Sequence, residues 1–246
     1  MTTPATPTMK VEIWSDIMCP FCYIGKRHYE AAIVNFPHRN RVEVEWKSFQ
    51  LDPTIPQTME GKVNVYQYLA DRKGMSLEQS KRMHEGVVNM AKEAGLDYNF
   101  DKAVVANSFN AHRLIQLAKT KGLGDAAEEM LFKAYFTEGK DFGDVAELTA
   151  IAEAIGLTAE DVQHALTDDT FAYRVTQDIQ EAQQIGVQGV PFFVFNRRYG
   201  ISGAQPVELF TDTLNKAYEE WEKANPAITM TSAEGATTCT PDGECF

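Results

Sequence analysis

The sequence predicts an α/β fold of order β-α-β … β-β-α with a large all-α insertion between strand 2 and strand 3. Three observations predict it. Short β-prone segments occur only towards the two ends of the chain, at Lys10–Trp14 and Val42–Phe49 and again at Pro191–Phe195 and Tyr199–Ser202. The long stretch between them carries helical periodicity and capping signatures but no strong strand signal. The run Cys19-Pro20-Phe21-Cys22 falls where the first strand gives way to a helix.

Residues 1–9 are Thr- and Pro-rich and read as a disordered arm. Lys10-Val11-Glu12-Ile13-Trp14 then alternates as a strand, with Trp14 expected in the core. From Tyr23 to Phe36 the apolar residues Ile24, Ala31 and Val34 fall on a helical spacing. In the second strand Val42, Val44, Trp46 and Ser48 alternate with Glu43, Glu45 and Lys47, so a parallel pair joined by a right-handed crossover is expected. Asp52 to Gly61 is Pro-rich and turn-like, and helical signals fill the chain from about Val63 to Ile185. Ser76 with Gln79, Asp144 with Glu147 and Thr158 with Asp161 mark helix starts. The last helix of this block carries Phe171, Val175, Ile179, Ala182 and Ile185 on one stripe, with Asp178 and Glu181 off it. Pro191–Phe195 and Tyr199–Ser202 form a hairpin about Asn196-Arg197-Arg198. The closing helix, Val207–Ala224, offers Leu209, Phe210, Leu214, Ala217, Tyr218 and Trp221 to the core. The expected division is an arm 1–9, an α/β domain of 10–51 and 186–225, a helical insertion domain 52–185, and a tail 226–246 with a second cysteine pair.

With 246 residues, 44% of them hydrophobic, the chain is long enough for a substantial core. A net charge of -12 argues against nucleic acid or an anionic membrane surface as partner. No apolar run approaches the ~20 residues that span a bilayer. The first nine residues carry neither a basic region nor an apolar core of secretory type, so a cytoplasmic protein is expected. Four cysteines in a chain of this length do not make a disulfide scaffold, and in a reducing compartment paired cysteines serve catalysis, redox sensing or metal binding.

Cys19 and Cys22 are three apart at a helix start, so both reach one side of its first turn, the first exposed and the second pointing inward. Unpaired N–H groups and the positive end of the helix dipole stabilise a thiolate there, a placement that can bring a cysteine pKa from ~8.5 into the range ~3.5–7.5. Pro20 suits the first turn because its missing N–H is no loss. These features predict a dithiol–disulfide centre, with Cys19 attacking and Cys22 resolving; a structural disulfide or half of a zinc site is the plainer alternative. Pro20 and Phe21 would tune the potential, and Phe21 could equally be a solvent-facing or substrate-contacting aromatic. Asp16, three residues before Cys19, would raise thiol pKa values and could accept a proton during resolution, or could simply cap the loop. His112 sits at i+4 from Ser108 and would face the cleft, the plainer reading being a packing histidine. Met18, Met59, Met75, Met83 and Met90 are expected mostly in the core, a soft apolar peptide surface being the other reading.

The order β-α-β, helices, β-β-α is that of a thioredoxin fold interrupted after its second strand. The chain resembles DsbA-family thioredoxin-fold oxidoreductases of the FrnE-like branch in Trp14-Ser15-Asp16 before the CxxC, Asn107–Leu114, Ala134–Gly139, Gly189–Phe193 and Ser202–Pro206. The resemblance implies a cytoplasmic thiol–disulfide oxidoreductase or isomerase acting on oxidised or misfolded proteins, with a role in oxidative stress. It implies that Pro191 after Val190 is a cis-proline lying against the CxxC; such bonds are only about 5–6% of X-Pro bonds, so the expectation rests on the resemblance. Val190 would then offer its backbone to an extended substrate. No cofactor beyond the redox-active disulfide and no metal is expected, with glutathione or a thioredoxin-type system as candidate electron source and the chain a monomer or homodimer. The related kappa-class glutathione transferases and 2-hydroxychromene-2-carboxylate isomerases typically lack the paired thiols, and a glutathione-dependent or isomerase activity on a small aromatic substrate is the rival function. Cys239 and Cys245 have three readings: a second redox pair, a plain tail disulfide, or half of a four-thiolate metal site.

Overall fold

The computed structural model describes residues 7–59 and 61–226. Its strands are β1 (Met9–Ser15), β2 (Val42–Ser48), β3 (Phe192–Phe195) and β4 (Tyr199–Ser202). Its α-helices are α1 (Pro20–Val34), α2 (Val65–Lys73), α3 (Leu77–Glu93), α4 (Phe109–Thr120), α5 (Gly124–Lys133), α6 (Val145–Glu153), α7 (Ala159–Thr167), α8 (Asp169–Gln184) and α9 (Val207–Ala224). The sheet order is β2-β1-β3-β4. β1 runs parallel to β2, with Met9 opposite Val42 and Ser15 opposite Ser48, and antiparallel to β3, with Ile13 opposite Phe193. The whole run α2–α8 lies between β2 and β3. This is the interrupted β-α-β … β-β-α order that the sequence predicts, with β1 starting one residue earlier, at Met9 rather than after the arm.

β1 is central, and its two faces meet different partners. Met9, Val11 and Ile13 pack with Tyr29 of α1 and with Phe210, Leu214 and Trp221 of α9. Trp14 on the opposite face packs with Ala182, Val187 and Val194, and its indole N–H donates to the Asp178 carbonyl at 2.9 Å. A strand covered on both faces has no solvent side, which is why even Glu12 is buried.

The third and largest core belongs to the insertion, yet it is not confined to it. Ile17, Cys19, Cys22, Tyr23 and Ile24 pack into one cluster with Leu114, Leu131, Phe132, Tyr135 and Phe136. Tyr23 stacks on Phe132 at 5.0 Å, and Tyr98 bridges Tyr23 and Phe136. A charge cluster around one buried ammonium reinforces the same junction. Lys26, with 2% of its side chain exposed, meets Glu30, Asp125 and Glu129, and Asp125 also accepts from the Trp46 indole at 3.0 Å. Burial works against the charge on Lys26, but these three carboxylates outweigh it and raise its pKa.

The helix starts follow the sequence closely. Ser76 with Gln79 and Thr158 with Asp161 form reciprocal capping boxes, and the Asp144 carboxylate accepts from both Ala146 and Glu147 N–H groups. In the stretch Ala134–Glu138 the helix widens to a π-turn that ends at Gly139, where φ is +71° and a Cβ would lie 2.3 Å from Lys102 Cβ; only glycine fits.

Four expectations are corrected. On α8, Asp178 is buried and Ile185 is 44% exposed, the reverse of the apolar stripe. The reason is polar: Asp178 accepts from Ser48 N–H at 2.9 Å and from the Gln116 amide at 2.6 Å and lies 3.2 Å from the Lys47 ammonium. Leu209 on α9 is exposed rather than core. None of the five methionines named above is buried; Met83 and Met90 are exposed. Val44 in β2 is exposed as well, while Trp46 and Ser48 further along the same face are buried.

Removing the Asp178 carboxylate leaves the buried Ser48 N–H without a partner, takes one of the two bonds of the Gln116 amide, and removes one of the four carboxylates around Lys47. Asp178→Ala is expected to lower the unfolding free energy by about 3–5 kcal/mol, read from urea denaturation midpoints, whereas Ile185→Ala should change it by less than about 0.5 kcal/mol.

Candidate active site

α1 begins at the CxxC. Cys19 is the N-cap residue, with extended backbone (φ -88°, ψ 109°), and Pro20 takes the first helical position. The Cys19 N–H donates to the Asp16 carbonyl at 2.9 Å, and the Cys22 N–H donates to the Cys19 carbonyl at 3.0 Å. No acidic residue occupies the first turn, so no side-chain charge there opposes the dipole. Both cysteines are free thiols, and both are buried. The expectation of an exposed first thiol is therefore corrected: Cys19 is 3% exposed because Val190 and the insertion cover it.

Val190-Pro191 is a cis peptide bond, and the Cys19 thiol lies 3.3 Å from the Val190 carbonyl, its acceptor. Gly25, one turn along α1, has no side chain where a Cβ would stand 3.0 Å from Pro191 Cγ and 3.3 Å from Phe193 Cζ. The absence of a side chain at Gly25 lets α1 lie directly on the Pro191 loop. The Gly203 N–H donates to the Pro191 carbonyl at 2.8 Å, and His28 contacts the Gln205 carbonyl at 2.8 Å, so Ser202–Pro206 holds the loop and the helix together. From the insertion, the Tyr98 hydroxyl donates to the Pro20 carbonyl at 2.7 Å.

The two thiols sit in different surroundings. Burial, together with the neighbouring Cys19, pushes the Cys22 thiol well up; the Asp16 backbone N–H and the Ser15 hydroxyl offset this in part. Cys19 instead lines a cleft of about 540 Å³ between α1, α2 and α3. Its walls are mainly apolar: Met18, Pro20, Phe21, Leu51, Val65, Leu69, Met83, Val87 and Val190. One end is polar, where the buried Asp52 carboxylate takes up the Tyr68 hydroxyl and the Arg72 guanidinium, with Lys73 beside them. Burial opposes the charge, but the Thr54 hydroxyl and N–H, which donate to the other carboxylate oxygen, act with Tyr68 and Arg72 to hold Asp52 below the usual carboxylate range.

The remaining expected site residues fall as follows. Phe21 is 37% exposed on the cleft wall. Asp16 is fully buried and caps the loop: its carboxylate accepts from Met18 N–H at 3.3 Å and from Leu51 N–H at 2.7 Å. His112 does not line the cleft. It is fully buried on α4, with Nε2 3.5 Å from Asp16 Oδ1. Asn107 and Arg113 of the same segment have structural bonds, Asn107 to Ile55 O and Phe109 N–H, Arg113 to Ala165 O at 2.8 Å. Cys239 and Cys245 lie outside the described residues. Among the described residues, no group of three or more His, Cys, Asp or Glu side chains is placed to hold a metal ion. No described helix is long and apolar enough to cross a membrane. Sequence reasoning missed Tyr98, Tyr68 and Arg72, whose partners are 78, 16 and 20 residues away, and Glu128, buried beside His112.

Comparison with known proteins agrees with this geometry. The model of the DSBA-like thioredoxin domain family matches residues 10–215. A probable DsbA oxidoreductase from Streptomyces coelicolor is 39% identical, superposes with a TM-score of 0.81, and is covered over 98% of its length by 97% of this chain. YwbO of Bacillus subtilis, a protein of unassigned function, is 28% identical over 213 residues, 85% of this chain and 96% of its own. A 2-hydroxychromene-2-carboxylate isomerase shares the fold at 15% identity and a TM-score of 0.60, over 89% of this chain and all of its own.

The close approach of α1 to Pro191 has a measurable consequence. Gly25→Val places two methyl groups where there is no room, and is expected to cost about 1–3 kcal/mol in urea unfolding. Gly25→Ala should cost less, since its helix propensity, better by ~1 kcal/mol, offsets part of the clash.

Proposed function

The chain belongs to the family of DSBA-like thioredoxin domains, and from that premise we propose that it is a thiol–disulfide oxidoreductase working on protein disulfides through Cys19 and Cys22. The observation that carries the proposal is the placement of Cys19 alone of the two thiols on the wall of the apolar cleft, 3.3 Å from Val190 O, with Cys22 behind it. In the reductive direction the Cys19 thiolate attacks a substrate disulfide. The substrate S–S bond breaks, one sulfur bonds to Cys19, and the other leaves as a thiolate that takes a proton from solvent. Cys22 then loses its proton and attacks Cys19 Sγ. The mixed disulfide breaks, the second substrate sulfur leaves as a thiolate, and Cys19–Cys22 becomes the disulfide. A dithiol or two molecules of glutathione return the two electrons; run backwards, the same steps oxidise a substrate dithiol.

The asymmetry between the thiols supports this order. Burial keeps Cys22 protonated and silent until a mixed disulfide stands next to it. Val190 offers its backbone to an extended polypeptide by strand-like pairing, and the apolar walls suit the side chains of an unfolded segment. We place the chain in the FrnE-like branch on the segments Asn107–Leu114 and Ala134–Gly139 and on the tail pair. We place its work in a reducing cytoplasm, where reduction or isomerisation of oxidised or misfolded proteins under oxidative stress is the favoured direction. The rival, isomerisation of a small aromatic substrate, has in its favour the shared fold with the isomerase above. The pair of thiols at one helix start favours exchange.

Insulin reduction tests the reading. Cys19→Ser is expected to lose all turnover, and Cys22→Ser to accumulate a mixed disulfide on Cys19; undiminished activity in the Cys19→Ser, Cys22→Ser protein, or tight glutathione binding without any exchange, overturns it. For the tail we propose that Cys239 and Cys245 exchange disulfides with the centre. Cys239→Ser, Cys245→Ser is then expected to shift the redox midpoint or slow re-reduction of Cys19–Cys22; an unchanged titration and rate removes that coupling.

A further inference from the structure

The turn that presents Cys19 is backed by a buried pair that the exchange steps above do not use. Asp16 contributes its carbonyl to the Cys19 N–H and its carboxylate to two backbone N–H groups, at Met18 and Leu51. His112, from α4 and 96 residues further along the chain, brings Nε2 to 3.5 Å from Asp16 Oδ1; both residues are entirely inaccessible to solvent, and neither ring nitrogen of His112 has a hydrogen-bond partner. The charged and titratable groups facing this pair come from several elements. Glu128 on α5 and the Phe49 carbonyl face His112; Lys26 on α1 and Asp125 on α5 face Glu128; the neutral phenols of Tyr68 and Tyr135 face Asp16. Burial disfavours charge on His112, yet Asp16 and Glu128 outweigh it and raise its pKa. Glu128 itself is pushed up to about 7 by burial.

A carboxylate this close to a helix N-terminus, with no solvent to screen it, disfavours a second negative charge at the dithiol. We propose that His112 is a positioning residue for the dithiol: its proton neutralises the Asp16 carboxylate and thereby sets how readily a thiolate forms at Cys19–Cys22. The inference rests on the thiol-exchange reading and deepens it. It assigns opposite effects to two residues in contact, which a merely structural role for either does not.

The test is the equilibrium dithiol + glutathione disulfide ⇌ protein disulfide + 2 glutathione, measured on the full chain between pH 5 and 9. Alkylation and mass spectrometry of the tryptic peptide of residues 11–26 read Cys19 and Cys22 apart from the tail pair. At pH 7, His112→Gln leaves Asp16 uncompensated, destabilises the reduced form, and is expected to raise the equilibrium constant roughly three- to tenfold. Asp16→Asn is expected to lower it by a similar factor, and the double variant to lie close to wild type. The ratio of His112→Gln to wild type should fall towards one as pH rises and His112 loses its proton, and should do so in a Glu128→Gln background as well. Shifts of the same sign in both single variants, or a ratio independent of pH, overturn the inference. If His112→Gln does not fold, Asp16→Asn alone decides: an unchanged constant at pH 7 overturns it. A wild-type peptide that never equilibrates with glutathione overturns the exchange reading itself, a result distinct from any of these.

Discussion

The first turn of α1 is packed from two sides at once, and the rest of the molecule is arranged around that constraint. On one side Gly25 rests on Pro191 and Phe193 of the sheet. On the other, Cys19, Cys22, Tyr23 and Ile24 are part of the insertion's own apolar core. A helix N-terminus is usually the frayed, solvated end, with unpaired N–H groups to satisfy. Here it is the best-held part of the helix: Tyr98 takes the Pro20 carbonyl, Asp16 takes the Cys19 and Met18 N–H groups, and Lys26 and Tyr23 anchor the next turn to α5. Deleting the insertion would therefore expose the dithiol and also remove half of what fixes its geometry.

That arrangement explains which features could be read in the sequence. Element type and order were legible because each depends on local pattern. Alternation marked β1 and β2, and reciprocal caps marked the starts of α3 and α7 where they lie. The junction of β1 and α1 was legible for the same reason, since Cys19 and Pro20 announce a helix start within a few residues. Burial was less so. Cys19 was expected at the surface because a helix N-cap generally is, but its cover comes from Val190 and the insertion, 171 residues away in the first case.

The errors on α8 and α4 have one physical origin. Periodicity sorts residues by polarity, and a buried carboxylate with a full set of partners breaks the sorting. Asp178 sits on the inner face of α8 because Ser48, Gln116 and Lys47, from β2 and α4, together replace its water. Asp16 is buried near His112 in the same way, its carboxylate taking the Met18 and Leu51 N–H groups, and His112 was placed on the cleft only because nothing local says that α4 turns it towards Asp16. The methionines err in the opposite direction: Met18 and Met83 sit on the cleft wall, where an apolar residue is useful precisely because it is not covered.

Buried charge in this molecule is thus distributed with a purpose that stability alone does not account for. A buried ion pair is often no more stabilising than apolar residues of the same volume, because desolvation consumes the Coulombic gain. The clusters at Lys47–Asp178 and Lys26–Asp125–Glu129 sit where the insertion meets the sheet and α1, and there they select one docking of two layers that apolar contact would allow to slide. The Asp16–His112 pair stands apart from both. It too spans the α/β part and the insertion, but it leaves ring nitrogens without hydrogen-bond partners, and it abuts the one turn where a sulfur must change its charge during turnover. A group that can gain or lose a proton next to that turn alters the energy of the reduced form without moving an atom of the scaffold, and a rigid scaffold leaves few other ways to adjust a redox potential.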